Sequence, residues 1–128
     1  MLFRSPNYTL AYQNRGLAKY NLGNLQGAID DYNQAIKLDP KMADVYYNRA
    51  LVKNDLGDKK GAMNDYDLAI GLNAQDADAY LNRGNIKSDL NDKKGAIADL
   101  NIAAKIFKAQ NNLVKYESTL ELIKQSSK

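Results

Sequence analysis

Residues 46–70 read YYNRALVKNDLGDKKGAMNDYDLAI, and they contain one complete pair of predicted helices. Gly57 follows the first helix, at a point where glycine can adopt the left-handed conformation that closes a helix. Asp58 comes next and is a candidate N-cap residue for the second helix. The second helix shows the i, i+4, i+7, i+8 apolar stripe of an amphipathic helix, at Ala62, Tyr66, Ala69 and Ile70. The stretch therefore predicts a helix-turn-helix unit.

This unit occurs three times, and the copies are 34 residues apart without insertion or deletion. The segment that begins at Tyr46 has counterparts beginning at Tyr12 and Tyr80. The second-helix segment Gly61-Ala62-Met63 recurs in the same register. A single helical pair cannot bury its own apolar face, so such units are stable only when they stack, and three is about the minimum.

Composition excludes several classes of function. The chain has no cysteine and no histidine, which removes thiolate sites, the commonest metal ligand and the usual general base. The 18 basic and 15 acidic residues are interleaved, so a net charge of +3 indicates a mixed, solvated surface rather than a nucleic-acid-binding stripe. No apolar stretch approaches the length of a transmembrane helix, and no signal peptide is visible. We therefore expect a cytoplasmic protein that does not insert into membranes.

The repeat resembles the tetratricopeptide repeat, whose outline is W-x2-L-G-x2-Y, then A-x3-F, A and P. Each copy has counterparts of the first aromatic, the small residue, the alanine and the second aromatic: Tyr12, Gly16, Ala28 and Tyr32; Tyr46, Ala50, Ala62 and Tyr66; Tyr80, Gly84, Ala96 and Leu100. The terminal proline is kept only at Pro40. The resemblance covers about residues 7–108 and implies an all-α fold, a right-handed α-solenoid of three helix-turn-helix repeats, with protein binding as its function.

We expect one domain over residues 1–128, with repeats at about 9–42, 43–76 and 77–108. A further helix at about 112–125 has an apolar stripe formed by Leu113, Tyr116, Leu120 and Ile123, and it is predicted to cap the last repeat. Ser5-Pro6 falls in the register of Asp39-Pro40. Residues 2–6 are therefore either the tail of an earlier repeat in a longer array or a short natural N-terminus.

In this family the first helices line a concave groove, and the resemblance assigns groove positions to each repeat. The candidate groove residues are Gln13, Asn14, Leu17 and Tyr20; Asp44, Tyr47, Asn48, Leu51 and Asp55; Asp78, Leu81, Asn82, Asn85 and Asp89. Asn14, Asn48 and Asn82 form a ladder whose amides could bond an extended peptide backbone. The groove positions carry no lysine or arginine. We therefore expect a basic or neutral polar partner and no binding of acidic chaperone tails. The alternative is that the aspartates are only solvated charges at helix starts.

Arginine stands once per repeat where the family normally has leucine. An arginine on an apolar face needs a partner, and one aspartate per unit is available. The sequence predicts a structural ion-pair ladder of Arg15 with Asp31, Arg49 with Asp65, and Arg83 with Asp99. Lys19, Lys53 and Lys87 lie one turn further along and extend the basic stripe. The rival interpretation is an exposed stripe that binds phosphate or nucleic acid.

The sequence thus favours a scaffold that binds a peptide or helix of another protein in its groove. The alternative is a structural unit that self-associates end to end through its N-terminal face. Paired carboxylates occur, but no phosphate loop, metal-ligand cluster or activated nucleophile accompanies them. No enzymatic activity, cofactor, metal or nucleic-acid partner is expected.

Overall fold

The structure is a computed structural model that describes the chain from Pro6 onward, with side chains from Tyr8. Residues 6–128 form only helices and turns, so the predicted all-α fold class is confirmed. The helices are α1 (Pro6–Asn21), α2 (Leu25–Leu38), α3 (Ala43–Asp55), α4 (Lys59–Leu72), α5 (Ala77–Asp89), α6 (Lys93–Ala109) and α7 (Leu113–Ser126). Apart from Pro6, the segment proposed as the tail of an earlier repeat lies outside the described residues.

Each second helix begins at a side-chain cap in the predicted register. Asn24 accepts a hydrogen bond from the amide of Gly27 at 3.0 Å, and Asp58 accepts one from Gly61 at 2.9 Å. The third copy repeats this contact. A Cβ atom at either glycine would overlap with the capping side chain itself. Glycine thus stands at the donor position of this cap in all three copies.

The turns between paired helices use left-handed backbone. Gly57 has φ +87°, and Asn91 takes the same role in the third repeat with φ 66°. Asparagine tolerates this conformation better than other residues with a side chain. The chain thus turns back two residues after the end of the first helix in each repeat, although the third repeat has asparagine there instead of glycine.

The helices fall into two compact units, one ending at Leu72 and the other beginning at Asn73. In unit 1, α1 packs on α2, α2 on α3 and α3 on α4. Its core contains the fully buried ring of Tyr32. A Cβ atom at Gly16 would come within 2.8 Å of that ring, so the ring can occupy this position because residue 16 is glycine.

In unit 2, α5 packs on α6 and α6 on α7, around a core that includes Ile106 and Phe107. The predicted stripe of α7 is only partly correct. Tyr116 packs against the core and Thr119 is buried, but Leu113 is 53% exposed and Leu120 is 42% exposed. The reason is rotational: Thr119 faces inward, where its hydroxyl donates to the Lys115 carbonyl at 2.6 Å and so needs no other partner.

Candidate functional site

In unit 1, the predicted groove residues lie on two neighbouring first helices, α1 and α3. A hydrogen bond joins the two helices directly, because the Tyr20 hydroxyl donates to Asp55 Oδ2 at 2.6 Å. The hydrogen bond to the carboxylate of Asp55 raises the pKa of Tyr20 to about 12. The bond crosses from the end of α1 to the end of α3, so it ties together two helices that belong to different repeats.

None of the candidate groove residues of unit 1 is fully buried. Exposed side chains are Asn14, Leu17, Asp44 and Asp55, and half-buried ones are Gln13, Tyr20, Tyr47, Asn48 and Leu51. Tyr47 makes an edge-to-face contact with Tyr66, with ring centroids 5.7 Å apart, which fixes its ring against α4. The surface therefore offers amides, one anchored aromatic ring and two carboxylates to solvent.

In unit 2, α5 carries the remaining groove positions. Asn85 and Asp89 are exposed, whereas Asp78, Leu81 and Asn82 are half-buried. The sequence did not indicate that α7 would border this helix. Lys115 Nζ lies 2.9 Å from Asp78 Oδ1, and an open hollow between the two helices is lined by Asn85, Ser88, Asp89, Leu122, Gln125 and Ser126. The capping helix thus adds a cation and polar side chains beside α5, and one carboxylate of the predicted groove is already paired.

The arginines of all three repeats meet the aspartates predicted for them. Arg15 donates from Nε and Nη2 to the two carboxylate oxygens of Asp31 at 2.9 and 2.7 Å. The equivalent distances are 2.8 and 2.7 Å for Arg49 with Asp65, and 2.8 and 2.8 Å for Arg83 with Asp99. Each pair is bidentate and joins the first helix of a repeat to its second helix.

The lysine of each repeat completes the same cluster. Lys19, Lys53 and Lys87 lie 3.2, 3.1 and 2.9 Å from the aspartate that the arginine holds. The guanidinium also lies over the ring of the preceding tyrosine, 5.4 to 5.7 Å from the centroid. The sequence indicated only that these lysines extend a basic stripe, and it missed the tyrosine contacts, although the Tyr-x-x-Arg-x-x-x-Lys spacing put all three side chains on one helix face.

These contacts shift the pKa values of two of the aspartates. Hydrogen bonds from Arg15, aided by Lys19, hold the pKa of Asp31 below its usual value. Burial alone would raise the pKa of Asp99, but the hydrogen bonds from Arg83 and Lys87 outweigh it and lower the pKa. Asp31 and Asp99 therefore stay ionised inside the protein and act as structural anions.

The arginines differ in how much solvent they meet. The side chains of Arg49 and Arg83 are 17% and 16% exposed, whereas that of Arg15 is 60% exposed. Arg49 has an additional partner on the preceding repeat, since its Nη1 donates to Asn33 Oδ1 on α2 at 2.8 Å. An arginine of the second or third repeat therefore has little surface left for a phosphate.

Neither a membrane-spanning helix nor a metal-ligand cluster is found in the described part of the chain. From Pro6 to Lys128, no helix combines the length and the apolar character needed to cross a membrane. The same residues include no group of three or more metal-ligating side chains that could hold a metal ion.

Family models match most of the chain. A model described as TPR repeat matches residues 16–57, and a model described as tetratricopeptide repeat matches residues 43–76 and 77–110. None of the curated proteins is significantly similar to the chain.

Solved structures share the fold over nearly the whole chain. The first TPR of Spaghetti (RPAP3) bound to the HSP90 peptide SRMEEVD is 26% identical, with a TM-score of 0.77, covering 91% of this chain and 96% of that one. The Arabidopsis OM64 TPR domain is also 26% identical, with a TM-score of 0.81 and coverage of 93% and 96%. PcrH, solved in complex with the chaperone binding region of PopD, is 15% identical with a TM-score of 0.91 and coverage of 96% and 93%, which shows likeness of fold alone.

Proposed function

This chain belongs to the tetratricopeptide repeat family, and from that premise we propose that it is a protein-interaction scaffold that binds a peptide or helix of a partner on its first helices. The observation that carries the proposal is the pair Asn14 and Asn48. They occupy equivalent positions on α1 and α3, helices that a hydrogen bond holds side by side. Each amide offers two donors and an acceptor, which suits the repeating polar groups of a peptide backbone.

The charge of this surface favours a basic or neutral polar partner. Asp44 lies in the first turn of α3 and is exposed, and Asp55 is exposed at the other end of the same helix. The candidate groove positions of α1 and α3 contain no lysine or arginine. A peptide with lysine or arginine near its ends would therefore meet complementary charge, whereas an acidic peptide would meet repulsion.

Random peptides displayed on phage test the site and its charge preference together. We expect selection against the wild-type chain to enrich basic or neutral polar peptides, and we expect a variant with Asn14→Ala and Asn48→Ala to lose their binding. A matched control with Asn64→Ala and Asn101→Ala removes two exposed amides from second helices instead. Equal binding by wild type, variant and control would move the site away from α1 and α3.

A second titration addresses acidic tails directly. The peptide SRMEEVD is bound to the first TPR of Spaghetti (RPAP3) in a solved structure. It is the sharpest probe because that TPR domain is 26% identical to this chain. We propose that this chain does not bind it, since the groove positions offer amides but no cation for its carboxylates. Calorimetry that gave micromolar affinity for this peptide would overturn the charge preference while leaving the groove as the site.

A second candidate function is end-to-end self-association through the N-terminal end of unit 1. The observation that favours it is the exposure of Arg15, whose counterpart Arg49 is covered. Sedimentation analysis of the isolated chain tests it, because self-association raises the weight-average mass with concentration. An invariant monomer mass would remove this candidate and leave the peptide-binding function standing.

The lack of histidine and cysteine leaves an enzymatic role without the usual catalytic groups.

A further inference from the structure

The outer side of α1 exposes a helix face that is covered in the next repeat. Tyr8, Ala11, Tyr12 and Arg15 line a shallow hollow on this side, and we name these four residues the N-terminal face. Their counterparts on α3 are Met42, Val45, Tyr46 and Arg49. Val45 and Tyr46 are buried, whereas Ala11 is exposed and Tyr12 is only half-buried. The N-terminal face thus has the composition of an internal contact surface, and among residues 6–128 no helix takes the place on it that α2 takes on α3.

The equivalent face of α3 is covered by α2, the second helix of the preceding repeat. The contacts of α2 show which side chains such a face binds. Asn33 of α2 accepts a hydrogen bond from Arg49 at 2.8 Å. Ile29 and Ile36 precede and follow Asn33 by one turn, and both pack against the core cluster in which Ala28, Tyr32 and Ala35 of α2 meet Val45 and Val52 of α3. The side of α2 next to α3 therefore has an apolar residue, a hydrogen-bond acceptor and an apolar residue at positions i, i+4 and i+7, namely Ile29, Asn33 and Ile36.

The outer face of α7 shows the same pattern and leaves it exposed. Leu113, Glu117 and Leu120 have the same spacing as Ile29, Asn33 and Ile36. Leu113 and Leu120 are two of the most solvent-exposed leucines in unit 2, and Glu117 is also exposed. Within unit 2 the inward side of α7 is formed by other residues, such as Tyr116 and Thr119. Leu113 and Leu120 thus keep 53% and 42% of their surface open to solvent within unit 2.

We propose that the N-terminal face of one copy receives the outer face of α7 of a second copy. Leu113 and Leu120 cover the hollow beside Tyr8 and Tyr12, and Glu117 accepts hydrogen bonds from Arg15 as Asn33 does from Arg49. A carboxylate replaces an amide in this contact, so the new pair is charge-assisted and sensitive to salt. The inference rests on the second candidate function above and names the two surfaces that carry it.

A second copy is the occupant that the charges favour. The N-terminal face carries Arg15, with Lys19 one turn further along α1, whereas the outer face of α7 carries two anions, Glu117 and Glu121, and one cation, Lys124. The two surfaces differ from each other, so the contact is heterologous, and a pair of copies still has one unused N-terminal face and one unused α7 face. Association therefore proceeds head to tail and gives a series of species rather than a single closed dimer.

The test uses the full chain in sedimentation velocity from micromolar to millimolar concentration. We expect the mass of the wild type to rise with concentration, and we expect Glu117→Arg to weaken association by at least about tenfold because it places like charges in contact. The matched control is Asp30→Arg, which changes the net charge equally at an exposed position of α2. The control should behave as wild type does.

A mixing experiment identifies the paired surfaces. Arg15→Glu and Glu117→Arg should each fail to associate alone. An equimolar mixture should associate, because the carboxylate introduced on α1 of one variant then meets the guanidinium introduced on α7 of the other. Circular dichroism checks that Arg15→Glu still folds. If it does not, the double substitution Leu113→Ser and Leu120→Ser replaces it, and we expect this variant to remain monomeric.

The outcomes separate the two ideas. A wild type that stays monomeric overturns both end-to-end association and the α7 contact, and it leaves peptide binding untouched. A wild type that associates while Glu117→Arg and the leucine variant do so equally well overturns the α7 contact alone. Association lost in Arg15→Glu but kept in every α7 variant would point to contact between two N-terminal faces, and this too overturns the inference.

Discussion

Replacement of Asp99 by asparagine tests whether the buried ion pairs stabilise the fold. The side chain of Asp99 is 4% exposed and receives three donors, from Arg83 at 2.8 and 2.8 Å and from Lys87 at 2.9 Å. Asparagine keeps the shape but has no charge, and its amide nitrogen would face at least one of the same donors. The substitution therefore leaves two cations next to a group that cannot balance them.

The expected cost follows from the burial of the partners. Removing one member of a buried ion pair costs roughly 3–5 kcal/mol. Arg83 and Lys87 keep 16% and 21% of their side-chain exposure and can be hydrated in part, so we expect about 3 kcal/mol at neutral pH, the lower end of that range. At Asp31 the partner Arg15 is 60% exposed, so the same change should cost only about 1 kcal/mol.

Acid should erase the difference between wild type and Asp99→Asn. The pKa of Asp99 is held below its usual value by its hydrogen-bond partners. A carboxylate with a depressed folded-state pKa contributes stability above its unfolded pKa of about 3.9, and this contribution is lost as the pH falls through the folded-state pKa. The difference in stability should therefore begin to shrink below about pH 4 and disappear only once the pH is below the depressed folded-state pKa, because protonated Asp99 resembles asparagine.

Urea unfolding followed by far-UV circular dichroism measures these free energies at neutral and acidic pH. Two results would refute the reasoning. The first is a loss at Asp99 below about 1 kcal/mol at neutral pH, because the pair would then behave as a surface pair. The second is a difference that does not change with pH, because the carboxylate charge would then not be its source.

Three smaller changes have effects of predictable sign, and an optical titration adds a fourth test. Gly16→Ala should destabilise by about 1–2 kcal/mol, because its Cβ would lie 2.8 Å from the buried ring of Tyr32. Tyr32→Phe should stabilise by about 1 kcal/mol, because the buried hydroxyl has no hydrogen-bond partner among the described residues. Asn91→Ala should cost about 1 kcal/mol, because residue 91 has φ 66°. In an absorbance titration, Asp55→Asn should lower the pKa of one tyrosine from about 12, because the carboxylate that accepts the hydrogen bond of the Tyr20 hydroxyl is removed.

Matched changes show whether the named contacts cause these effects. Gly71→Ala should stabilise by no more than about 0.5 kcal/mol, because a Cβ there meets open space and alanine is the better helix former, but residue 71 lies in the last turn of α4. A loss at residue 71 as large as the loss at residue 16 would mean that close contact is not the cause. A loss of stability in Tyr32→Phe would show that the hydroxyl makes a favourable contact, and Tyr20 titrating near its usual pKa would show that its bond to Asp55 does not persist in solution.

The repeat register could be predicted because each element has a local signal. The 34-residue offset, the glycine or asparagine after the first helix and the aspartate or asparagine cap all lie within a few residues of the structure they determine. The arginine–aspartate pairing was predictable for a similar reason. Each repeat contains one unexpected arginine and one aspartate in register, and a buried charge requires a partner.

The orientation of α7 was not predictable from its sequence. Leu113, Tyr116, Leu120 and Ile123 form an acceptable apolar stripe, yet Leu113 and Leu120 remain exposed while Thr119 is buried. A hydroxyl that bonds to its own helix can be buried at little cost, so the polarity of the residues in α7 does not determine the rotation of this helix. The pairing of Lys115 with Asp78 follows from the same rotation.

Local residue patterns were sufficient for the helices, their ends, the repeat and the ion pairs, because these depend on side chains that are close together in the chain or repeated in register. The tertiary structure was needed to learn which of those side chains remain exposed to solvent and can contact a partner. Arg15 and Arg49 stand at equivalent repeat positions, yet the packing of α2 covers one and leaves the other open. Exposure depends on which neighbouring helix occupies a face, and a residue pattern within one helix carries no information about that neighbour.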